Sequence, residues 1–414
     1  MDRGAQRVRR LVLSHAMSAA AMAMPWPVLL ALTWQQTHST TALAVVGALR
    51  MAPYVALSWA AGALADRVSR TRLVVASTSV RVLLLLAVTG AVLSGHLAPA
   101  VALATLVVAA GTPAYPAIAA SIPGLAGHRA ETTTGWLVTV EVSAFVVGPA
   151  VGGLLLGSVG AEPAMFAAAA TGLAGAALMA RIRLDANVIR TSAAYDRPRG
   201  LLRVVLRSAD AVRVIIAVAV INVVDGAVFV ALLPMAESGW GDAHAFGLVT
   251  AALGFGALAT PMLRRVLRLP ATALRASLLL VVLPLGLVAV SPGWGWAVVP
   301  LALLGAASTE VECVATTILQ RSVPDHARAF ALGLTDTVMV TGALLGAALA
   351  PLTADAIGPR GALLGFAALT ALLLLRATTA APAATWEGSA TEQPDDEREE
   401  ASGPVETPRR PQFT

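Results

Sequence analysis

Seven ionisable residues lie inside runs that are otherwise apolar: the carboxyls of Glu141, Asp225, Glu310, Glu312 and Asp336, and the guanidinium groups of Arg50 and Arg81. In hydrocarbon each costs roughly 3 kcal/mol or more unless it faces a water-filled cavity or a partner. They therefore mark either a polar path or internal ties. A carboxylate withdrawn from water holds its proton more readily, which suits proton exchange. Asp225 and Glu141 are the expected proton carriers, with Glu310 and Asp336 in reserve. Helical spacing puts Asn222, Asp225 and Phe229 on one face, and Glu141, Phe145, Gly148 and Gly152 on another. Glu310 and Glu312 are two apart and point in very different directions, so at most one faces a shared path. For Arg50 and Arg81, internal pairing and function stand equally open. Met22 and Trp26, near Met17 and Met24, are expected either to form a soft wall for apolar ligands or simply to pack. Tyr54, one turn after Arg50, and Tyr115, between Pro113 and Pro116, are further wall candidates. His15, alone near a helix end, reads as an interfacial residue.

A second constellation occupies residues 62–72, between two long apolar runs. Gly62 permits close approach of another helix, Asp66 can accept from a neighbouring helix N-terminus or pair with arginine, and Arg67, Arg70 and Arg72 are fixed positive forks. Enzyme chemistry finds no support elsewhere. The chain has no lysine, which excludes a Walker-type phosphate loop, and it has no histidine–glutamate spacing of metalloprotease type. Cys313 is the single cysteine, so an intramolecular disulfide or a cysteine-cluster metal site is excluded. No cofactor or metal is expected.

These residues must be positioned by membrane helices. With 414 residues, 57% hydrophobic and 13% charged, the chain has too little polar surface to cover a soluble globule. A crossing needs about 20 mostly apolar residues, and twelve runs fit: 11–33, 42–64, 73–94, 99–122, 132–157, 164–181, 209–234, 245–263, 276–291, 297–320, 330–353 and 358–376. The first lacks a small-residue cleavage site and is read as a mature span. All 29 basic residues are arginine, and those that lie between spans fall in every second loop. The intervening loops at 34–41, 95–98, 158–163, 236–244 and 291–296 carry none, and only Arg360 breaks the pattern. Positive charge stays on the cytoplasmic side. Both termini are thus expected inside, and the net charge of +5 points to a lipid bilayer rather than nucleic acid.

The expected division is an N-terminal six-helix half (1–181), a polar basic cytoplasmic linker (182–208), a C-terminal half (209–377) and an acidic, disordered tail (378–414). Internal matches support a repeat. Ser121-Ile122-Pro123 pairs with Ser322-Val323-Pro324, and Gly135, Gly148 and Gly160 pair with Gly333, Gly346 and Gly358. Such halves are related by an axis along the membrane normal, with a path between them.

Residues 62–72 resemble the signature loop of the major facilitator superfamily, G-x-L-a-D-r-x-G-r-k, at Gly62, Leu64, Asp66, Arg67, Arg70 and Arg72. Ser69 stands where the pattern has its second glycine, and the second half holds no acidic counterpart to Asp66. The resemblance implies an all-α membrane protein of twelve transmembrane helices in two pseudo-symmetric halves, with this loop as a latch on the cytoplasmic face. Gly148-Pro149-Ala150-Val151-Gly152-Gly153 resembles the GP-x-x-GG core of a fifth-helix motif in the superfamily's proton-driven exporters. Residues 46–81 are similar to the subgroup of macrolide and siderophore exporters. An arginine expected in the fourth span of many drug antiporters is missing. The start of the eleventh span near Arg328, or the turn at Arg129 and Glu131, is then the expected partner of Asp66.

The implied function is a secondary active transporter: a proton-coupled antiporter, monomeric, exporting hydrophobic or amphipathic small molecules across a bacterial-type plasma membrane. Uptake of a small metabolite by proton symport, or a non-transporting sensor or scaffold, are the alternatives.

Overall fold

The computed structural model describes residues 3–38, 40–184, 198–235, 240, 245–267 and 274–379. The described chain is helical, and its turns fall where glycine, proline or a capping serine leaves the backbone no helical continuation. The N-terminal half comprises α1 (Arg3–Ala23), α2 (Pro25–Thr37), α3 (Thr40–Arg67), α4 (Arg70–Leu93), α5 (Leu97–Gly111), α6 (Ala114–Ala126), α7 (Ala130–Val159) and α8 (Ala161–Met179). A short helix, α9 (Pro198–Arg207), precedes the C-terminal half: α10 (Ala209–Pro234), α11 (Ala245–Leu258), α12 (Thr260–Leu267), α13 (Leu274–Val290), α14 (Trp294–Ser322) and α15 (Asp325–Thr379).

Twelve crossings result. Three of the expected continuous spans are broken by proline, which lacks the N–H that would bond the preceding turn. Pro25 separates α1 from α2 at Met24, Pro113 separates α5 from α6, and the Thr260-Pro261 pair starts α12. Conversely α15 bends at Gly358 (φ 76°, ψ 159°), so its two limbs are the last two crossings. Many buried hydroxyls are satisfied within their own helices, as where Thr33 donates to Leu29 O at 2.7 Å and Thr78 to Val74 O at 2.6 Å, because lipid offers no partners.

The glycine matches seen in the sequence are structural equivalents. Gly160 (φ 95°) and Gly358 (φ 76°) both turn the chain at the end of corresponding crossings. A Cβ on Gly148 would lie 2.5 Å from Ala23 Cβ, and one on Gly346 1.8 Å from Val223 O. Each half thus packs its fifth crossing tightly on its first.

One apolar cluster fills the C-terminal half and continues into Ala63, Ile118, Ile122 and Leu137, at the arginine-rich ends of the N-terminal crossings. A second cluster, containing Trp26, Leu29, Leu85, Val101 and Met165, fills the other end of the N-terminal half. The core is therefore continuous between the halves near the arginine-rich face. Arg7 donating to Arg183 O, and Leu184 N to Thr71 Oγ1 at 2.7 Å, hold that face together within the first half. The exceptional Arg360 donates to Ser291 O at 3.3 Å, in an arginine-free loop. The expected polar linker is partly structured: Leu201 and Val205 of α9 are buried, while 185–197 lie outside the described residues. So do 380–414, nearly all of the expected acidic tail, and the arginine-free loop residues 236–239 and 241–244.

Candidate functional site

Two sites emerge, one at the closed end and one in a chamber between the halves. At the closed end α3 crosses α15 with almost no space. A Cβ on Gly62 would fall 2.2 Å from Ala329 O, and one on Gly333 2.1 Å from Ser58 O. This contact places Asp66 beside the second turn of α15. Its Oδ1 accepts from Ala329 N at 3.1 Å and its Oδ2 from Phe330 N at 2.7 Å. Arg70 donates to Asp66 Oδ1 at 3.2 Å and reaches Asp325 O at 2.9 Å. The Asp325 carbonyl and the Ala329 amide are i and i+4 partners along a helix, and the Asp66–Arg70 pair addresses both.

The network extends further. Arg70 also pairs with Asp325 Oδ1 at 3.0 Å and donates to Ala120 O at 3.2 Å, and Arg328 pairs with Asp325 at 2.8 Å. Asp66 thus meets the start of the eleventh crossing. Glu131, the other expected neighbour, pairs with Arg321 instead. Arg67 is exposed. A further tie runs from Thr134 Oγ1 to Gln320 Oε1 at 2.8 Å, with Gln320 Nε2 donating to Ala119 O at 2.7 Å.

Above this closed end partly exposed ionisable residues of both halves converge, and the space they border is the chamber. Glu141 Oε2 lies 2.6 Å from His15 Nε2, a hydrogen bond that joins the two side chains, which are 18% and 4% exposed. His15 is thus buried and paired, not interfacial. Its ring lies near that of Tyr115, with centroids 6.0 Å apart and the planes tilted by 39°. Tyr54 faces Phe145 at 6.0 Å, and Arg50 lies over the Phe145 ring at 5.8 Å. Met22 Sδ sits 4.0 Å from both Tyr54 Oη and Arg81 Nη1.

From the opposite half, Asp225 Oδ1 accepts from Ser308 Oγ at 2.8 Å. Glu312 lies beside Asn222 and within electrostatic reach of Asp225, and Asp336 lies within electrostatic reach of Glu141 and Glu312. Glu141, Asp225, Glu312 and Asp336 each keep partial exposure, as lining residues of an open space do.

Several expected residues lie elsewhere. Glu310 is 0% exposed and pairs with Arg264 at 3.2 Å, away from the chamber; its neighbour Glu312 is the one that faces it. Trp26 is 1% exposed in the core of the N-terminal half, so it is no chamber wall. Phe229 is 51% exposed. Gly148 and Gly152 pack on the α1–α2 break, Gly152 with a Cβ position 2.2 Å from Met24 O, while a Cβ on Gly153 would lie 3.8 Å from Pro27. Pro149 continues inside α7.

Of the residues here, sequence reasoning does not name Ser308, reads His15 as interfacial, and holds Glu310 rather than Glu312 in reserve as a proton carrier. His15 carries one usable signal: it precedes Met22 by seven residues, two helical turns on the same face. Among the described residues no three His, Cys, Asp or Glu side chains group as a metal site.

The sequence profile described as "Major Facilitator Superfamily" matches residues 11–337. The chain belongs to this superfamily. Its fold agrees: the Escherichia coli fucose:proton symporter FucP superposes with a TM-score of 0.70 at 14% identity, covering 90% of this chain and 98% of that one. A bacterial homologue of the iron transporter ferroportin, solved outward-facing, gives 0.68 at 15% identity, with 90% and 99% covered. The human organic anion transporter MFSD10 gives 0.63 at 15%, with 91% and 99% covered. No curated protein sequence matches the chain. The chain is thus a multi-pass membrane protein and a secondary transporter, not an enzyme.

Proposed function

We propose that this superfamily member is a proton-coupled antiporter that exports hydrophobic or amphipathic small molecules by alternating access. The observation that carries the reading is the His15–Glu141 contact at 2.6 Å, partly open to the chamber. An imidazole and a carboxylate share one proton readily, and arrival of a substrate beside Glu141 displaces it. Asp225, Glu312 and Asp336 supply further acceptors on the facing wall. Met22, Tyr54, Tyr115 and Phe145 offer soft and aromatic surface to an apolar substrate, with Arg50 as its polar anchor. The export direction rests on the likeness of residues 148–153 to the exporter motif.

In the same reading Gly62, Asp66 and Arg70 form the latch that holds the halves together at the arginine-rich face. That face is cytoplasmic, with both termini on it. The protein acts as a monomer in a bacterial-type plasma membrane, and 182–208 links its halves.

Reconstitution into proteoliposomes tests this directly. With a pH gradient imposed, an amphipathic dye such as ethidium should move opposite to the proton. Movement of a small sugar or similar metabolite together with the proton, the mode of a fucose:proton symporter, replaces export by uptake. Absence of any proton-driven flux, with Asp66→Asn tolerated, leaves a sensor or scaffold.

A further inference from the structure

The two walls of the chamber carry opposite charge. On the wall of the N-terminal half, Arg50 of α3 and Arg81 of α4 present guanidinium groups, and neither forms an ion pair among the described residues. Arg50 lies half-buried over the Phe145 ring. Arg81 bonds only the Met22 sulfur, through Nη1 at 4.0 Å. It is 5% exposed, yet none of its nitrogens is both sealed and unbonded, so Nε and Nη2 keep accessible surface. Gly111 makes room for this guanidinium, since a Cβ there would lie 3.0 Å from Arg81 Nη1. Glu141, on the same wall, is already engaged by His15.

On the wall of the C-terminal half the sign is reversed. Asp225, Glu312 and Asp336 are partly exposed, and none pairs with a cation among the described residues. Asp225 has Ser308 and Glu312 has Asn222, both neutral partners. Two tyrosines lie between the poles. Tyr54 is within electrostatic reach of Arg50, Arg81 and Asp336, and Tyr115 within reach of Asp336 and Glu312. Thr337 donates to Tyr54 O at 3.4 Å, bringing α15 against α3 beside them.

Charges of both signs that border one space without meeting each other are left to water, and a ligand of matching charge balances them better. A ligand with one charge satisfies one wall only. One with an anionic and a cationic end satisfies both, and an aromatic body between the ends lies along the tyrosines. We propose that the substrate is zwitterionic: a carboxylate held by the planar forks of Arg50 and Arg81, an ammonium held by Asp225, Glu312 and Asp336, and an apolar body between. This substrate class rests on the chamber's being the transport site of the exporter reading, and it narrows amphipathic small molecules to those charged at both ends.

Calorimetry on the purified full chain tests this with four matched probes built on one biphenyl body. The first bears an aminomethyl group at one end and a carboxylate at the other; the second is its carboxamide, the third its N-acetyl derivative, and the fourth is blocked at both ends. At neutral pH they are zwitterionic, cationic, anionic and neutral. The zwitterion should bind about tenfold more tightly than the cation or the anion, as loss of one charge-assisted contact implies. Arg50→Gln should narrow its advantage over the cation severalfold and leave binding of the cation unchanged. Glu312→Gln should narrow its advantage over the anion. If Arg50→Gln does not fold, the ranking of the four probes on the unaltered chain carries the test. Zwitterion binding no tighter than that of either singly charged probe, or equal weakening of all four by Arg50→Gln, overturns the zwitterion. Ethidium–proton antiport without preference for the zwitterion removes this substrate class and leaves the exporter. Preferred binding of the zwitterion without any proton-driven flux removes the exporter and leaves the two-signed site.

Discussion

Phe330 donates its backbone N–H to Asp66 Oδ2 at 2.7 Å, across the boundary between the two halves. A carboxylate that accepts from two consecutive backbone amides of the other half, while Arg70 holds both it and the Asp325 carbonyl, ties the halves through main chain. The Asp66 side chain is 1% exposed, so its charge is balanced by these partners. Asp66→Asn replaces one accepting oxygen by a donor and leaves Arg70 underpaired, at a cost of roughly 3 kcal/mol. The expected outcome is normal membrane insertion with transport lowered at least about tenfold. Full transport by a correctly inserted Asp66→Asn protein removes the latch.

The single cysteine provides a direct reporter of that closure. Cys313 is buried and donates to Gly135 O at 3.7 Å across the interface between α14 and α7. Separation of the halves exposes it. Maleimide labelling of the unaltered protein should therefore be slow, and Asp66→Asn should accelerate it severalfold. Gly62→Ala should do the same, since its Cβ would fall 2.2 Å from Ala329 O and force the helices apart. Unchanged labelling in both variants would show that this contact does not govern closure.

Much of this frame is legible in the sequence because it depends on local spacing or on repetition. The alternation of arginine-bearing loops orders the crossings, and the Gly148–Gly346 and Gly160–Gly358 pairs mark equivalent packing and turning points. What each glycine packs against is not local. Gly152 meets Met24 O because Pro25 breaks the first crossing there, and that break also sends Trp26 into the core while Met22 faces Arg81 and Tyr54. The His15–Glu141 contact joins residues 126 positions apart, so the spacing of His15 from Met22 can place it on a face but not name its partner. Glu310 and Glu312 show the limit of periodicity: it says that they diverge, and only Arg264 and Asn222 decide which one enters the chamber.

Asp225 of α10 and Glu312 of α14 lie within electrostatic reach of each other, with Ser308 bonded to the first and Asn222 beside the second. Asp225→Asn keeps the shape and the Ser308 contact while removing one negative charge from the wall. Binding of a cationic dye should weaken by about tenfold, as expected for loss of one partly desolvated charge pair, while a neutral dye of similar size should bind unchanged. Equal weakening of both dyes would mean that the substitution disturbs packing and not the field of the chamber.

His15 and Glu141 make the sharpest test of coupling, because each alone can hold a proton but only together can they share one. Glu141→Gln retains a hydrogen-bonding side chain where the unaltered carboxylate lies 2.6 Å from His15, yet it cannot exchange a proton near neutral pH. In proteoliposomes it should still exchange labelled substrate for unlabelled substrate across the membrane. Accumulation driven by a pH gradient should be lost, and so should substrate-induced proton release. If Glu141→Gln retains pH-driven accumulation, the carrier lies on the facing wall, and the same exchange-against-accumulation comparison on Asp225→Asn, Glu312→Gln and Asp336→Asn would locate it.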